Sequence, residues 1–198
     1  MKKRMFTIAC CLIFLACALA WNLYGKKSSE QLSIKVIKQI NNYSCGLACL
    51  VSILDYWDRE AKQQKLLDYY PPNKDSKGYS LGSLKKIAKK KYKMNSYAMF
   101  SNFRFLRQQI EKGRPVMVAL VVPHNMYKLD IIRKMPVYGK IFEFLTQSAT
   151  FTHFVVVTSV QKNRVKVMDP LHGLKKLPKE SFQAMWDKKD NAMLLVAA

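Results

Sequence analysis

The part of the chain that decides the fold is residues 39–50, which read Gln39-Ile40-Asn41-Asn42-Tyr43-Ser44-Cys45-Gly46-Leu47-Ala48-Cys49-Leu50. Ser44 stands where a helix N-cap belongs. From Cys45 to about Trp57 almost every residue is apolar or small, without a clean amphipathic stripe, which predicts a buried helix. Cys45 would lie in its first turn, where unpaired backbone N–H groups and the helix dipole favour a thiolate. Cys45 is therefore a candidate nucleophile.

His153 and Asp169 are the expected partners of that nucleophile. A reactive cysteine needs an imidazole to take its proton and a group to hold the imidazole. His153 opens a predicted strand, and Asp169 follows the next predicted strand 16 residues later. Neighbouring antiparallel strands would place the two side by side. A tetrahedral oxyanion needs a donor besides the backbone N–H of Cys45, and the amide of Gln39 is the expected one.

The rest of the chain predicts helices followed by a β-rich half. A second helix opens at Gly82-Ser83, and its lysines are expected to form a solvated face: Lys85, Lys86, Lys89, Lys90 and Lys91. A further helix is predicted at about 103–112. Residues rich in Val, Leu and Phe predict strands at 116–122, 154–160, 164–168 and 193–197. This order predicts an α+β fold with N-terminal helices packed on an antiparallel β-sheet.

Three other segments have weaker signals. Residues 34–40 alternate in the manner of a short strand. Residues 58–79 are polar and predict a loop around Pro71-Pro72-Asn73. Residues 123–148 are too long for an ordinary connection and are predicted to hold helices around 129–134 and 138–146.

Two more motifs join residues 39–50: Thr152-His153-Phe154-Val155-Val156-Val157, and Val167-Met168-Asp169-Pro170-Leu171-His172-Gly173. Together the three resemble the C39 family of papain-like cysteine peptidases, over about residues 35–197. The resemblance implies a papain-like fold with Cys45 as nucleophile, His153 as general base and acid, Asp169 as the orienting group and Gln39 in the oxyanion hole. It implies no metal and no organic cofactor.

Members of that family remove leader peptides after a double glycine, commonly as a cytoplasmic domain fused to an ABC exporter. This sequence contains no G-x-x-x-x-G-K-[ST] phosphate loop and no multi-span membrane domain. Any exporter is therefore expected to be a separate partner.

Residues 1–20 have the order of a secretory signal. Lys2, Lys3 and Arg4 precede an uncharged apolar run that ends in Ala18-Leu19-Ala20, which is similar to a signal-peptidase site. Cleavage there would make Trp21 the first residue. An uncleaved membrane anchor and lipidation of Cys17 are the alternatives.

All three alternatives place the remaining chain outside the cytoplasm, in the periplasm or on the outer face of the inner membrane. The predicted organisation is a signal or anchor at 1–20, a tether at 21–33 and a C39-like peptidase domain at 34–198.

Charge and cysteine content narrow the partners. The net charge is +21, from 27 Lys and 7 Arg against 13 acidic residues, and loss of residues 1–20 would lower it to +18. Export and the scarcity of Arg argue against nucleic acid. The charge is expected to form a Lys-rich solvated surface, and attraction to an anionic membrane surface or envelope polymer is the alternative. Only Cys45 and Cys49 lie beyond the signal, too few for a disulfide-stapled domain.

Other roles for these residues stay open at the level of sequence. Cys49 is expected to be a small core residue. Its spacing also permits a disulfide with Cys45 or a zinc site with Cys45, His153 and His172, which are less favoured. His172 and His124 are expected in loops.

The predicted function is hydrolysis of peptide bonds in a peptide or protein substrate, with leader-peptide processing as one form of it. The same four residues would serve an amidase or transpeptidase on cell-envelope peptides. A non-catalytic peptide-binding module and a basic envelope-anchoring protein are the further alternatives.

Overall fold

The computed structural model describes residues 31–72, 78–123 and 150–198, and in these ranges a six-stranded sheet carries helices on both of its faces. The helices predicted around 129–134 and 138–146, and His124, lie outside the described residues. Residues 31–198 belong to one compact unit. No helix in the described ranges is both long enough and apolar enough to cross a membrane.

Five helices are present in the described ranges. They are α1 (Cys45–Tyr56), α2 (Gln63–Tyr69), α3 (Leu81–Tyr92), α4 (Phe103–Glu111) and α5 (Lys179–Asp187). The helix predicted from Cys45 to about Trp57 is thus confirmed as α1, in which residues 46–54 are all buried. The helices predicted at Gly82-Ser83 and at 103–112 are confirmed as α3 and α4.

The strands are β1 (Asn95–Phe100), β2 (Val116–Pro123), β3 (Thr150–Val160), β4 (Arg164–Asp169), β5 (Gly173–Pro178) and β6 (Ala192–Ala197). They lie in the order β1-β6-β2-β3-β4-β5, and every neighbouring pair is antiparallel. This confirms the predicted α+β class and its antiparallel sheet.

The two faces of the sheet contribute to two separate cores. Met117 of β2 and Val156 of β3 pack in the core that contains α1 and α3. Val118 of β2 and Val155 of β3 pack in the other, which contains residues of α4 and α5. Because successive side chains of a strand point to opposite faces, both strands are buried almost throughout.

Close packing of α1 depends on a residue without a side chain. A Cβ atom on Gly46 would lie 2.8 Å from Cδ1 of Leu84 in α3 and 3.2 Å from Cδ2 of Phe154 in β3. Gly46 thus allows the start of α1 to approach both the neighbouring helix and the sheet, and this places Cys45 beside β3.

One prediction for the N-terminal half is wrong. Residues 34–40 form no strand, although Gln39 N–H donates to the carbonyl of Pro170 at 3.1 Å. Ile34 and Ile37 pack on the first core, whereas Val36 and Ile40 are exposed, so the alternation does not mark one buried face. The polar stretch 58–79 contains α2, for which the sequence analysis made no prediction. Packing also begins before the predicted domain start, because Leu32 N–H donates to the carbonyl of Thr158 at 2.9 Å.

Candidate active site

Cys45 is the first residue of α1 and is partly exposed. Ser44 occupies the N-cap position as predicted, but its hydroxyl does not cap the helix: it donates to the carbonyl of Asn41 and accepts from the Asn41 N–H, both at 3.2 Å. The first-turn N–H groups of a helix have no acceptor within the helix. Those of α1 therefore stay available for an anion beside the Cys45 thiol.

His153 and Asp169 meet as the sequence predicted. Nε2 of His153 lies 3.1 Å from Oδ1 of Asp169, and the two side chains are only 2% and 0% exposed. By strand alternation His153 shares a sheet face with Val155, and Asp169 shares that face with Val167. The sheet thus points both polar groups to the same side.

Asp169 is held in place by the turn that follows β4. Its Oδ1 accepts the backbone N–H groups of Leu171 at 2.7 Å and His172 at 3.1 Å. This arrangement is the Asx-type turn that Asp before Pro favours. A carboxylate fixed by backbone donors can in turn fix the imidazole that it contacts.

The environment of His153 favours the imidazolium. Burial by itself lowers the pKa of His153, but hydrogen bonds to Asp169 and Cys45, with the charges of both groups, raise it from 6.5 to about 9. Since Nε2 faces Asp169, Nδ1 is the ring nitrogen left for the Cys45 thiol. The three side chains therefore form one connected chain of interactions.

Gln39 lies in the turn before α1. One amide N–H of Gln39 donates to the carbonyl of Asn41 at 2.8 Å, which fixes the orientation of the amide. Its Oε1 is buried and has no hydrogen-bond partner within the described ranges. The second N–H on Nε2 is the donor that an oxyanion at Cys45 would use.

The model of the Peptidase_C39 like family matches residues 31–193 of this sequence. The chain belongs to this family. No curated protein is similar enough to count as a relative.

Solved structures share the fold of this C39-like chain at low identity. The peptidase domain of Streptococcus ComA, a bi-functional ABC transporter involved in quorum sensing, is 19% identical, with a TM-score of 0.59 over 82% of this chain and 97% of that one. A Bacillus anthracis protein described as a C39-like peptidase is 16% identical, with a TM-score of 0.60 over 84% and 95%. A double glycine motif protease from an AMS/PCAT transporter, solved with the leader peptide, is 17% identical, with a TM-score of 0.52 over 86% and 94%. The papain-like fold predicted from the motifs is thereby confirmed.

Gln63 is a residue that sequence reasoning missed. It is buried at the start of α2, where its Oε1 accepts the Ile40 N–H at 2.9 Å and its Nε2 donates to the Lys38 carbonyl at 3.4 Å. These bonds bracket Gln39 on both sides. No motif marks Gln63, because it lies in a polar segment 24 residues beyond Gln39.

The remaining cysteine and histidine are placed as follows. Cys49 is fully buried and its thiol donates to the Phe154 carbonyl at 3.3 Å, so it is the expected core residue and is not joined to Cys45. His172 lies in the turn after β4 with Nδ1 3.6 Å from Oδ1 of Asp169, and its side chain is 36% exposed. In the described ranges no three His, Cys, Asp or Glu side chains are grouped to hold a metal ion.

A cleft of about 740 Å³ opens beside Cys45. One end of β3 contributes Thr152 and Phe154, and α3 with its N-cap contributes Ser80, Ser83, Lys86, Ile87 and Lys90. The remaining lining residues are Tyr70, Pro71, Pro72, Gly78 and Tyr79. The cleft is therefore large enough for several residues of a peptide, and the candidate nucleophile Cys45 is part of its lining.

Proposed function

We propose that the protein is a cysteine peptidase in which Cys45, His153 and Asp169 act as a triad and Gln39 contributes to the oxyanion hole. The observation that carries this proposal is the buried contact between His153 and Asp169, with the same imidazole interacting with a thiol at a helix start. Cys45 also lines the cleft of about 740 Å³, which gives the thiol access to a substrate.

The reaction begins with the thiolate of Cys45 and the imidazolium of His153. Sγ attacks the scissile carbonyl carbon, and the electron pair of the C=O bond moves to oxygen. The tetrahedral species collapses with rupture of the C–N bond while His153 gives its proton to the departing amine. The acyl group remains on Sγ as a thioester. His153 then removes a proton from water, whose oxygen attacks the thioester and releases the acid and the Cys45 thiolate.

The oxyanion would be stabilised by two donors, the backbone N–H of Cys45 and the second amide N–H of Gln39. Preorganised donors of this kind contribute strongly because they are already oriented when charge develops on the oxygen. The hydrogen bond from Gln39 to the Asn41 carbonyl supports this role, since it removes the freedom of the amide to rotate.

The substrate is a peptide or protein, with leader-peptide processing as its specific form. The shared fold with a protease solved with a leader peptide supports a peptide in the cleft beside Cys45.

We also propose that the domain works outside the cytoplasm, as a secreted or membrane-anchored protein of the periplasm or outer face of the inner membrane. The support is the sequence of residues 1–20, with Lys2, Lys3 and Arg4 before an uncharged apolar run. A net charge of +18 after cleavage would hold such a domain near an anionic membrane surface or envelope polymer.

The test is incubation of residues 21–198 with a proteome-derived peptide library and mass spectrometry of the products. We expect new N-termini with the wild type and none with Cys45→Ala, at matched circular dichroism spectra. Equal cleavage by the two proteins would overturn the proposal. Amine-acceptor products in place of free acids would instead identify a transpeptidase.

A further inference from the structure

The helix α3 places positive charge along the cleft that Cys45 also lines. Ser83, Ile87 and Lys90 follow at spacings of four and three residues, so they share one face of the helix, and Lys86 adjoins it. All of them line the cleft. The sequence predicts that the lysines of α3 form a solvated face, and Lys86 and Lys90 are exposed as expected. Both also line the cleft.

Within the described residues, neither cleft lysine has an acidic neighbour. The described part of the lining contains no Asp and no Glu, and neither Lys86 nor Lys90 forms an ion pair with another described residue. Lysines in the last turn of a helix stabilise its dipole, which is sufficient reason for Lys89 to Lys91. It does not account for Lys86, which precedes that turn. Two uncompensated cations in a partly enclosed cleft attract an anionic group.

The other side of the cleft is built to keep its shape. The hydroxyl of Tyr79 donates to the Tyr70 carbonyl at 2.6 Å. Burial, and to a smaller extent the nearby Tyr43, raises the pKa of Tyr79 to about 12, so the hydroxyl remains a neutral donor. The ammonium of Lys91 lies 4.8 Å from the ring centroid of Tyr69 and 5.7 Å from that of Tyr70. Lys91 is thus engaged with aromatic rings, whereas Lys86 and Lys90 face the cleft.

The distance from the nucleophile follows from helix geometry. Gly46, next to Cys45, packs against the side chain of Leu84 in α3. Lys86 and Lys90 are two and six residues further on, which is about 3 and 9 Å along the axis. An extended peptide advances about 3.3 Å per residue. An anionic side chain that contacts these lysines would therefore lie within about four residues of the scissile bond.

We propose that Lys86 and Lys90 form a subsite for an acidic side chain, so that the substrate is a peptide carrying Asp or Glu within about four residues of the bond attacked by Cys45. The inference rests on the proposed peptidase function and names its substrate class. The matched control lies on the same helix: Lys85 and Lys89 have the same charge and spacing but do not line the cleft.

The first test scores Asp and Glu around the cleavage sites found in the peptide library. We expect Asp and Glu to be enriched within about four residues of the sites cleaved by the wild type and by Lys85→Gln/Lys89→Gln. The sites cleaved by Lys86→Gln/Lys90→Gln should show no such enrichment. For one cleaved acidic peptide, the cleft variant should lower kcat/KM by roughly 2- to 30-fold, the range of two exposed ion pairs. The cleft variant should leave kcat/KM unchanged for the matched peptide in which Asn or Gln replaces the acidic residue. Equal cleavage of the acidic peptide and its amide by the wild type would overturn the subsite.

The second test does not depend on hydrolysis. Iodoacetate and iodoacetamide both alkylate a thiolate with loss of iodide, but only iodoacetate is an anion. We expect the rate of Cys45 alkylation by iodoacetate, divided by the rate with iodoacetamide, to fall in Lys86→Gln/Lys90→Gln. The same ratio should stay unchanged in Lys85→Gln/Lys89→Gln. An unchanged ratio in the cleft variant would contradict the subsite. If the wild type shows no Cys45-dependent cleavage of any peptide, the peptidase proposal alone is contradicted. The ratio of alkylation rates would still test the subsite.

Discussion

At the scale of single residues, Cys45 and Cys49 are a natural comparison because they are one turn apart in the same helix. Cys45 is partly exposed at the cleft, whereas Cys49 is buried and burial raises its pKa well above the usual value. We expect iodoacetamide at neutral pH to modify Cys45 in preference to Cys49, as measured by peptide mapping. Cys49→Ala should keep most of the activity. Preferential labelling of Cys49 would show that the nucleophile is misassigned.

The pH dependence of activity follows from the direction of the His153 shift. Because the pKa of His153 is raised from 6.5 to about 9, the imidazolium that protonates the departing amine persists up to that pH. We expect kcat/KM to fall as the pH rises through about 9. The Asp169→Asn variant loses the charge and acceptor that raise this pKa, so its alkaline limb should move to lower pH.

The expected losses in kcat distinguish the role of His153 from that of Asp169. His153→Ala should lower kcat by roughly 10³- to 10⁶-fold, and Asp169→Asn by less, because Asp169 acts on the substrate only through the imidazole. An alkaline limb that stays in place in Asp169→Asn would contradict the assignment. His172 is a poor neutral control, since its Nδ1 lies 3.6 Å from the same carboxylate oxygen. Cys49→Ala is the better control.

At the scale of elements, the sequence predicted the parts with strong local patterns. The buried helix α1 could be predicted because nine consecutive residues are apolar or small. The four strands with dense Val and Leu content were likewise predicted, and their order placed Asp169 beside His153. Each of these signals comes from burial on both sides of the element, which leaves little room for polar residues.

The elements that were missed are the edge strands β1 and β5 and the helices α2 and α5. The strands β1 and β5 are the two outer strands, with exposed Tyr97 and Phe100 in one and Leu174 in the other. Their residues do not alternate cleanly because only one neighbour and part of one face are covered. The helix α2 has seven residues and no side-chain cap, so nothing local marks its start.

The role of Gln63 could not be predicted either, because it depends on where α2 packs. Its two hydrogen bonds to residues 38 and 40 hold the segment that carries Gln39. We expect Gln63→Ala to lower kcat by roughly 10- to 100-fold with a smaller effect on KM, since a shift of about 1 Å in a donor is enough. Gln63→Glu keeps the acceptor for the Ile40 N–H and should recover part of the loss.

The measurements for Gln63 are steady-state kinetics on one cleaved peptide and urea unfolding of each variant. A merely structural role would lower the free energy of unfolding and leave kcat per folded molecule unchanged, which would contradict positioning of Gln39. The double variant Gln39→Ala/Gln63→Ala adds a further check. It should be no slower than Gln39→Ala alone, because the positioned group is already absent.

At the scale of the whole molecule, the charge distribution at the N-terminus is expected to decide on which side of the membrane the domain lies. The fold is shared with peptidase domains of transporters, and nothing in the fold itself selects a side of the membrane. The choice depends on residues 1–20, where three basic residues precede an apolar run. Basic residues at the start of such a run stay in the cytoplasm, so the rest of the chain would cross.

The last prediction concerns that crossing. Alkaline phosphatase fused after Ala198 should be active, because it folds only outside the cytoplasm, and a fused reporter that needs cytoplasmic folding should be inactive. Replacing Lys2, Lys3 and Arg4 with Gln should lower the alkaline phosphatase activity, while the same changes at Lys26, Lys27 and Lys35 serve as a charge-matched control.

Mass spectrometry of the product should show Trp21 as the first residue after cleavage, a lipid-modified Cys17 after lipidation, or an intact N-terminus in an anchored protein. Activity of the cytoplasmic reporter would contradict export and would instead favour removal of leader peptides before transport, because the domain would then face the same side as the unprocessed peptide.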